Sequence, residues 1–242
     1  FLINSVDRKK VILDWEYNSW GEKYPPFDLD NDIPQKISNL LGIDSIKIPM
    51  VLEGGSFDVN GEGVLLTTKS CLLNSNRNPR LLKREIEAYL KKYLIQKEVI
   101  WLDEGIVGDD TDGHIDDVAR FVAKDKIVVA VTHSKDENFG VLESNKSFLK
   151  TNYESRFDII DLPMPNKLFV DDLLVPASYC NFYILNKKVI VPTFNDPNDL
   201  EAIDVLGACF PKREIIAINS SKLIYGLGSF HCLSKQEPML AL

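Results

Sequence analysis

Apolar and polar residues along this chain fall into one short motif that keeps returning. Phe1-Leu2-Ile3-Asn4, a polar turn at Asp7-Arg8-Lys9-Lys10 and the run Val11-Ile12-Leu13-Asp14-Trp15 predict a hairpin. A helix over 33–41 with Gly42 at its end, then a strand over 45–48, completes the first group. The order recurs with a strand over 56–59, a turn at Asn60-Gly61 and a strand over 64–68. A helix over 80–94 follows, in which Leu81, Leu82, Ile86, Tyr89, Leu90 and Tyr93 fall near helical spacing, and a strand over 99–102 closes the unit.

A third unit reads as strands over 118–122 and 127–131, a weak helix near 146–152 and a strand over 157–160. The fourth has strands over 181–185 and 189–191, a helix over 197–210 and a strand over 214–218. Ser229-Phe230-His231-Cys232-Leu233 reads as the first strand of a fifth unit. Strand-strand-helix-strand, repeated four times with a stub, predicts an α/β ring or array, because each unit buries its apolar face on its neighbours. In a ring, the loops before each first strand converge on a central mouth.

Those loops carry the candidate chemistry. The second unit offers Glu53-Gly54-Gly55, the third Asp112-Gly113-His114-Ile115-Asp116, and the fifth Gly226-Leu227-Gly228 followed by Ser229-Phe230-His231-Cys232. A carboxylate, a histidine with a carboxylate two residues on, and a thiol thus come from equivalent positions, and they meet if the ring closes. His114 and Asp116 share a face if their segment is extended, whereas the neighbours His231 and Cys232 point apart in a strand. His231 is therefore expected to be structural, and so is His133, at the end of a buried strand.

The stretch Gly108-Asp109-Asp110-Thr111-Asp112-Gly113-His114-Ile115-Asp116-Asp117 concentrates five aspartates and a histidine. Like charges this close raise one another's pKa values, so the fold must either solvate them or supply partners. Taken alone the stretch reads as a solvated acidic loop or a cation site. It lacks the alternating acids and closing Glu of the twelve-residue calcium loop.

Composition narrows the classes. A formal net charge of -8 without a basic stripe argues against nucleic-acid binding and suits a small cationic ligand. Apolar residues make up 45% of the 242, enough for the core of one large domain spanning residues 1–242. Cys71, Cys180, Cys209 and Cys232 form no C-x-x-C pair, which fits reduced thiols in the cytoplasm, three of them simply buried. No apolar run reaches membrane-spanning length and no signal peptide is visible, so neither a membrane nor export is expected.

Five segments together are specific. Val51-Leu52-Glu53-Gly54-Gly55-Ser56-Phe57, Asn74-Ser75-Asn76-Arg77-Asn78-Pro79, Thr111-Asp112-Gly113-His114-Ile115-Asp116, Phe194-Asn195-Asp196-Pro197-Asn198-Asp199 and Gly228-Ser229-Phe230-His231-Cys232 resemble the agmatine deiminase family. That family is grouped with the bacterial peptidyl-arginine deiminases among the guanidine-modifying (pentein-like) enzymes, and the likeness runs along essentially the whole chain. It implies a five-bladed α/β propeller, here as four units and the start of the fifth, in a single guanidine-modifying domain with the family's N-terminal blade outside the sequence. In the family that preceding part carries an arginine- and aspartate-bearing motif whose aspartate is the second guanidinium carboxylate.

The resemblance further implies hydrolysis of agmatine to its ureido product with loss of ammonia, in putrescine biosynthesis. Cys232 is then the nucleophile, His114 the general acid and base, Asp116 the carboxylate gripping the guanidinium, and Glu53 the acidic partner. Asp110 matches an acidic substrate-binding position and Trp20 an aromatic segment near the mouth. No metal or organic cofactor is called for, and a homodimer is the expected assembly. Peptidyl-arginine is the alternative substrate, and a catalytically impaired guanidine-binding homologue the alternative class. The loop Gly226-Leu227-Gly228-Ser229 departs from a Gly-richer, Asn-bearing family loop, which bears on substrate preference. Arg77 and Arg120 are read as structural ion pairs rather than as a site for an α-carboxylate.

The chemistry is coherent. A guanidinium is a planar cation whose paired N–H donors suit carboxylates. Its carbon is a poor electrophile and calls for a thiolate, which a cationic neighbour would favour.

Overall fold

The repeat is present as four three-stranded sheets of one design. The computed structural model describes residues 1–3, 8–133 and 135–239. In each sheet the first strand pairs antiparallel with the second, and the second pairs parallel with the third across a helical connection. The strands are Leu2–Ile3, Lys10–Glu16 and Ser45–Val51; Phe57–Val59, Val64–Thr68 and Glu98–Leu102; Ala119–Ala123, Lys126–Val131 and Asp158–Pro163; and Tyr183–Ile184, Lys188–Thr193 and Glu214–Asn219. The turn expected at Asp7 lies outside the described residues.

Local chemistry explains the second unit. Asn60 Oδ1 accepts the N–H groups of Glu62 and Val64, closing the hairpin that sets Val59 opposite Leu65. Val64–Thr68 is buried on both faces, as a central strand needs to be, and reads as a continuous rather than alternating run. Helix Lys83–Tyr93 lays Ile86 and Leu90 into the core, while Glu85 accepts the Leu82 N–H at its start. Burying each such side chain contributes about 1.5–3 kcal/mol. Gly42, at φ 63°, closes helix Ile33–Leu41 in the left-handed conformation.

The third helix, Phe139–Tyr153, begins well before the segment the apolar period marks. Its buried face includes Asn145, whose amide accepts from Asp103 N at 3.1 Å and donates to Glu104 O at 2.9 Å. A polar residue that is buried because it is bonded interrupts the apolar period along the helix. Between the third and fourth sheets lies a hairpin outside the repeat, Leu168–Val170 with Leu173–Val175, turned by Asp171 and Asp172 at φ 48° and 63°.

The expected fifth-unit strand is not formed. Residues 229–233 coil into a helical turn in which Leu233 N donates to Ser229 O and Ser234 N to His231 O. The N–H groups of His231 and Cys232 bond to the Asn181 side chain instead of to a sheet ladder. His133, placed at the end of a buried strand, is exposed.

Two apolar clusters hold the units together. One gathers the third and fourth units, with Val64, Leu66, Ile100 and Leu102 of the second, around residues such as Ile127, Val129, Tyr179, Phe182 and Leu206. The other gathers the first and second around Ile48, Met50, Leu65, Cys71, Ile86 and Leu90. Among the described residues no helix is long and apolar enough to cross a membrane.

Candidate active site

The turns Gly54–Ser56, Ile115–Asp117 and Tyr179–Asn181 stand at equivalent places, each immediately before the first strand of its unit. Glu53 and His114 sit one residue ahead of the first two turns, and Asn181 ends the third. The repeat thus delivers side chains to one centre, and a cavity of about 400 Å³ opens there, lined by Glu53, His114, Trp20 and Cys232 among others. Asp116 is fully buried behind Cys232, with its Oδ2 3.5 Å from Cys232 Sγ. Five of the six expected site residues are brought together in this way. Asp110 is set apart, in an adjoining recess that Trp20, Tyr24 and Tyr225 also line, and its carboxylate is held by the Tyr24 hydroxyl and by Lys23 at 3.5 Å.

The acidic stretch is neither a bare loop nor a solvated one, because each aspartate has its own donors. Asp109 accepts from Thr111 N at 2.8 Å and from His114 N at 2.8 Å, which fixes the histidine's backbone. Asp112 accepts from Lys23, Asn76 and Arg77. Burial alone would raise its pKa, but those three bonds outweigh that and hold it below the usual carboxylate range. Asp116 accepts from His231 at 2.7 Å, and Asn181 Nδ2 reaches Asp117 at 3.0 Å. The two adjacent buried acids are driven apart. Burial opposes ionisation of Asp116, but the His231 bond and the charges of His231, His114 and Arg120 keep its pKa low. Burial and the Asp116 charge push the Asp117 pKa well up.

Glu53 is buried against Arg77, whose Nε lies 2.5 Å from Oε1 while its other nitrogens bond Asp112 and Thr111 O. Arg120 is likewise structural, donating to Cys180 O and Phe182 O with Asp58 3.2 Å away. Gly55 is where the histidine and the carboxylate close in. A Cβ there would lie 2.6 Å from His114 Nδ1 and 2.8 Å from Asp116 Oδ2. Three of the buried polar side-chain atoms that have no hydrogen-bond partner among the described residues belong to this centre: Glu53 Oε2, His114 Nε2 and Asp116 Oδ1.

The surroundings of Cys232 differ from the expected cationic neighbourhood. Its surface is open to the cavity, yet the enclosing protein desolvates a thiolate and Asp116 and Asp117 oppose it, so the thiol pKa is pushed far up. Asn181 Nδ2, 2.9 Å from Sγ, acts in the opposite sense but more weakly. Asn181 is a residue of this centre that the sequence did not single out, whereas Asp109 and Asp117 were marked only as part of the acidic stretch. The loop ahead of the fourth unit, compared with the loops ahead of the others, is the signal that would have found Asn181. His231 faces Asp116 and not the thiol, although it and Cys232 stand in a helical turn where the alternation of a strand does not apply.

Fold and site define a class: an α/β repeat protein with a thiol, a histidine and carboxylates assembled at its central cavity. The family model described as Porphyromonas-type peptidyl-arginine deiminase matches residues 1–238, and the chain belongs to that family. The agmatine deiminase of Pseudomonas syringae is 34% identical over 98% of this chain and 72% of its own length. A structure of Enterococcus faecalis agmatine deiminase catalysing its reaction superposes with a TM-score of 0.89 at 34% identity, covering 95% of this chain and 70% of that one. A C. jejuni agmatine deiminase with a cysteine-to-serine substitution and substrate bound gives 0.86 at 38% identity, covering 91% of this chain. This chain spans 66% of that C. jejuni structure.

Proposed function

We propose that the protein is an agmatine deiminase-like hydrolase that converts a guanidinium to a ureido group, and that its four units are four blades of a five-bladed propeller. The observation that carries the reading is the set of unpartnered atoms: Glu53 Oε2 and His114 Nε2, in residues that line the cavity with Cys232, and Asp116 Oδ1, in the carboxylate behind that thiol. Each buried polar atom left unpaired costs about 1–3 kcal/mol. A planar cation rich in N–H donors relieves both carboxylates at once and offsets the negative field on the thiol.

In this reading the bound guanidinium is itself the cationic neighbour that the thiol lacks. The Cys232 proton passes to His114 and a bond forms between Sγ and the guanidinium carbon. His114 returns the proton to an amino nitrogen, the carbon–nitrogen bond breaks and ammonia leaves. A water then adds to the amidino-thioether, giving a proton to His114. The carbon–sulfur bond breaks, the ureido product departs, the thiol is restored, and the surplus proton leaves with ammonia as ammonium. Asp116 and Glu53 hold the cation, and Asn181 and His231 position Cys232 and Asp116. Asp110, with Trp20, walls the recess where the far end of an extended guanidine lies.

Incubation with agmatine, scored as ureido product beside a Cys232→Ala control, tests the reading. Turnover that the control abolishes is expected. Undiminished turnover in the control would sink the covalent route, and turnover only on a peptidyl-arginine substrate would move the substrate class.

A further inference from the structure

Cys71 has no part in the reaction above, yet it lies directly behind two of its residues. It is fully buried after strand Val64–Thr68, its N–H bonded to Thr68 Oγ1. Glu53, Cys71 and His114 each offer a ligating atom, and the three lie within 4.8 Å of one another. Glu53 Oε2 and His114 Nε2, in side chains more than nine-tenths buried, have no hydrogen-bond partner. Oxygen, sulfur and imidazole nitrogen form a borderline-soft donor set, which suits zinc and is a poor match for magnesium or calcium.

We propose that Glu53, Cys71 and His114 form an inhibitory site for a thiophilic divalent cation, zinc fitting it best. Tetrahedral zinc places such donors about 3.3–3.8 Å apart, so the three side chains need only close in slightly. Glu53 and His114 line the cavity and Cys71 stands behind them, so the ion enters from the substrate side and its fourth position faces the cavity. Binding displaces the Cys71 thiol proton to solvent, with no change of oxidation state. Arg77, on the other oxygen of Glu53, orients that carboxylate from outside the coordination sphere.

A second trio, Asp116, Asp117 and Cys232, has similar spacing but is the poorer site. Asp116 Oδ2 is committed to His231, and Asp117 and Cys232 are both bonded by Asn181. The two trios make opposite demands on the cysteines, which lets one experiment separate them. A metal in the first also occupies the residues that hold the guanidinium and its proton, so it competes with substrate. Only that consequence rests on the proposed function; binding itself does not.

The test is calorimetric titration of the protein with zinc chloride, together with cobalt(II) titration read by the thiolate-to-metal charge-transfer absorption. Wild type, Cys71→Ala, Cys71→Ser and Cys232→Ala are compared, with thermal unfolding as a check on folding. One equivalent is expected to bind to wild type and to Cys232→Ala with the thiolate band present. Both Cys71 variants should lose the band and weaken at least about tenfold. In assays, zinc should raise KM for agmatine in wild type and leave it unmoved in Cys71→Ala. No binding to wild type, a band that disappears only in Cys232→Ala, or unchanged affinity in either folded Cys71 variant would overturn the proposal.

Discussion

Asn181 holds Cys232 at both ends: its Nδ2 lies 2.9 Å from Sγ, and its Oδ1 accepts the Cys232 backbone N–H at 3.2 Å. The same oxygen accepts from His231 N at 3.0 Å, so one amide fixes the whole turn. Replacing Asn181 with Leu keeps the branched shape and heavy-atom count of the side chain and removes both ends of the grip. A fall in kcat of about 10- to 100-fold with a smaller change in KM is expected, because misplacing the reacting atom is what such positioning prevents. Equal loss in kcat/KM through KM alone would instead mark Asn181 as a substrate contact.

Gly55 admits no side chain between His114 and Asp116, since a methyl group there would approach them to 2.6 and 2.8 Å. Gly55→Ala forces both groups to shift and should lower kcat by at least about 100-fold while costing about 1–3 kcal/mol in stability. Chemical denaturation together with steady-state kinetics checks both. An active, equally stable variant would mean that the two side chains are not confined as described.

The raised thiol pKa of Cys232 has a definite pH signature. Because the folded environment favours the protonated form, the thiolate fraction keeps growing through and beyond the ordinary cysteine value of about 8.5. Alkylation of Cys232 by iodoacetamide should therefore be slow at pH 7 and still rising without a plateau at pH 9. A guanidinium-bearing inhibitor that does not cover the thiol should move the curve to lower pH. A plateau below pH 8 in the free protein would contradict the negative field of Asp116 and Asp117.

Arg77 neutralises a buried carboxylate, with side-chain exposure of 0% for Arg77 and 4% for Glu53. Arg77→Met leaves Glu53 buried and unpaired and removes one of the three donors to Asp112, so a loss of about 3–5 kcal/mol is expected in urea unfolding. The partner change, Arg77→Met with Glu53→Gln, should recover part of it. A single variant within about 1 kcal/mol of wild type would show that water reaches Glu53.

The unit and its repetition are legible in the amino-acid sequence, because strand and helix periods record which face of each element is buried. Asn60-Gly61, Gly42 and the apolar run 64–68 mark turn, cap and central strand through interactions within a few residues. Glu53, His114 and Cys232 are legible as candidates too, since a carboxylate, an imidazole and a thiol can be recognised wherever they sit. What those residues meet was settled only by the packing of the units. Asn181 and Cys232 are 51 positions apart and Asp116 and His231 are 115 apart, and no local period encodes such pairings. The same holds for Asn145, whose burial depends on two backbone groups 41 and 42 residues away. It holds again for the turn at 229–233, where Asn181 takes the N–H groups a strand would have used. Burial is written into the alternation of side chains along the chain, whereas partnership follows from how four separately legible units pack around one centre.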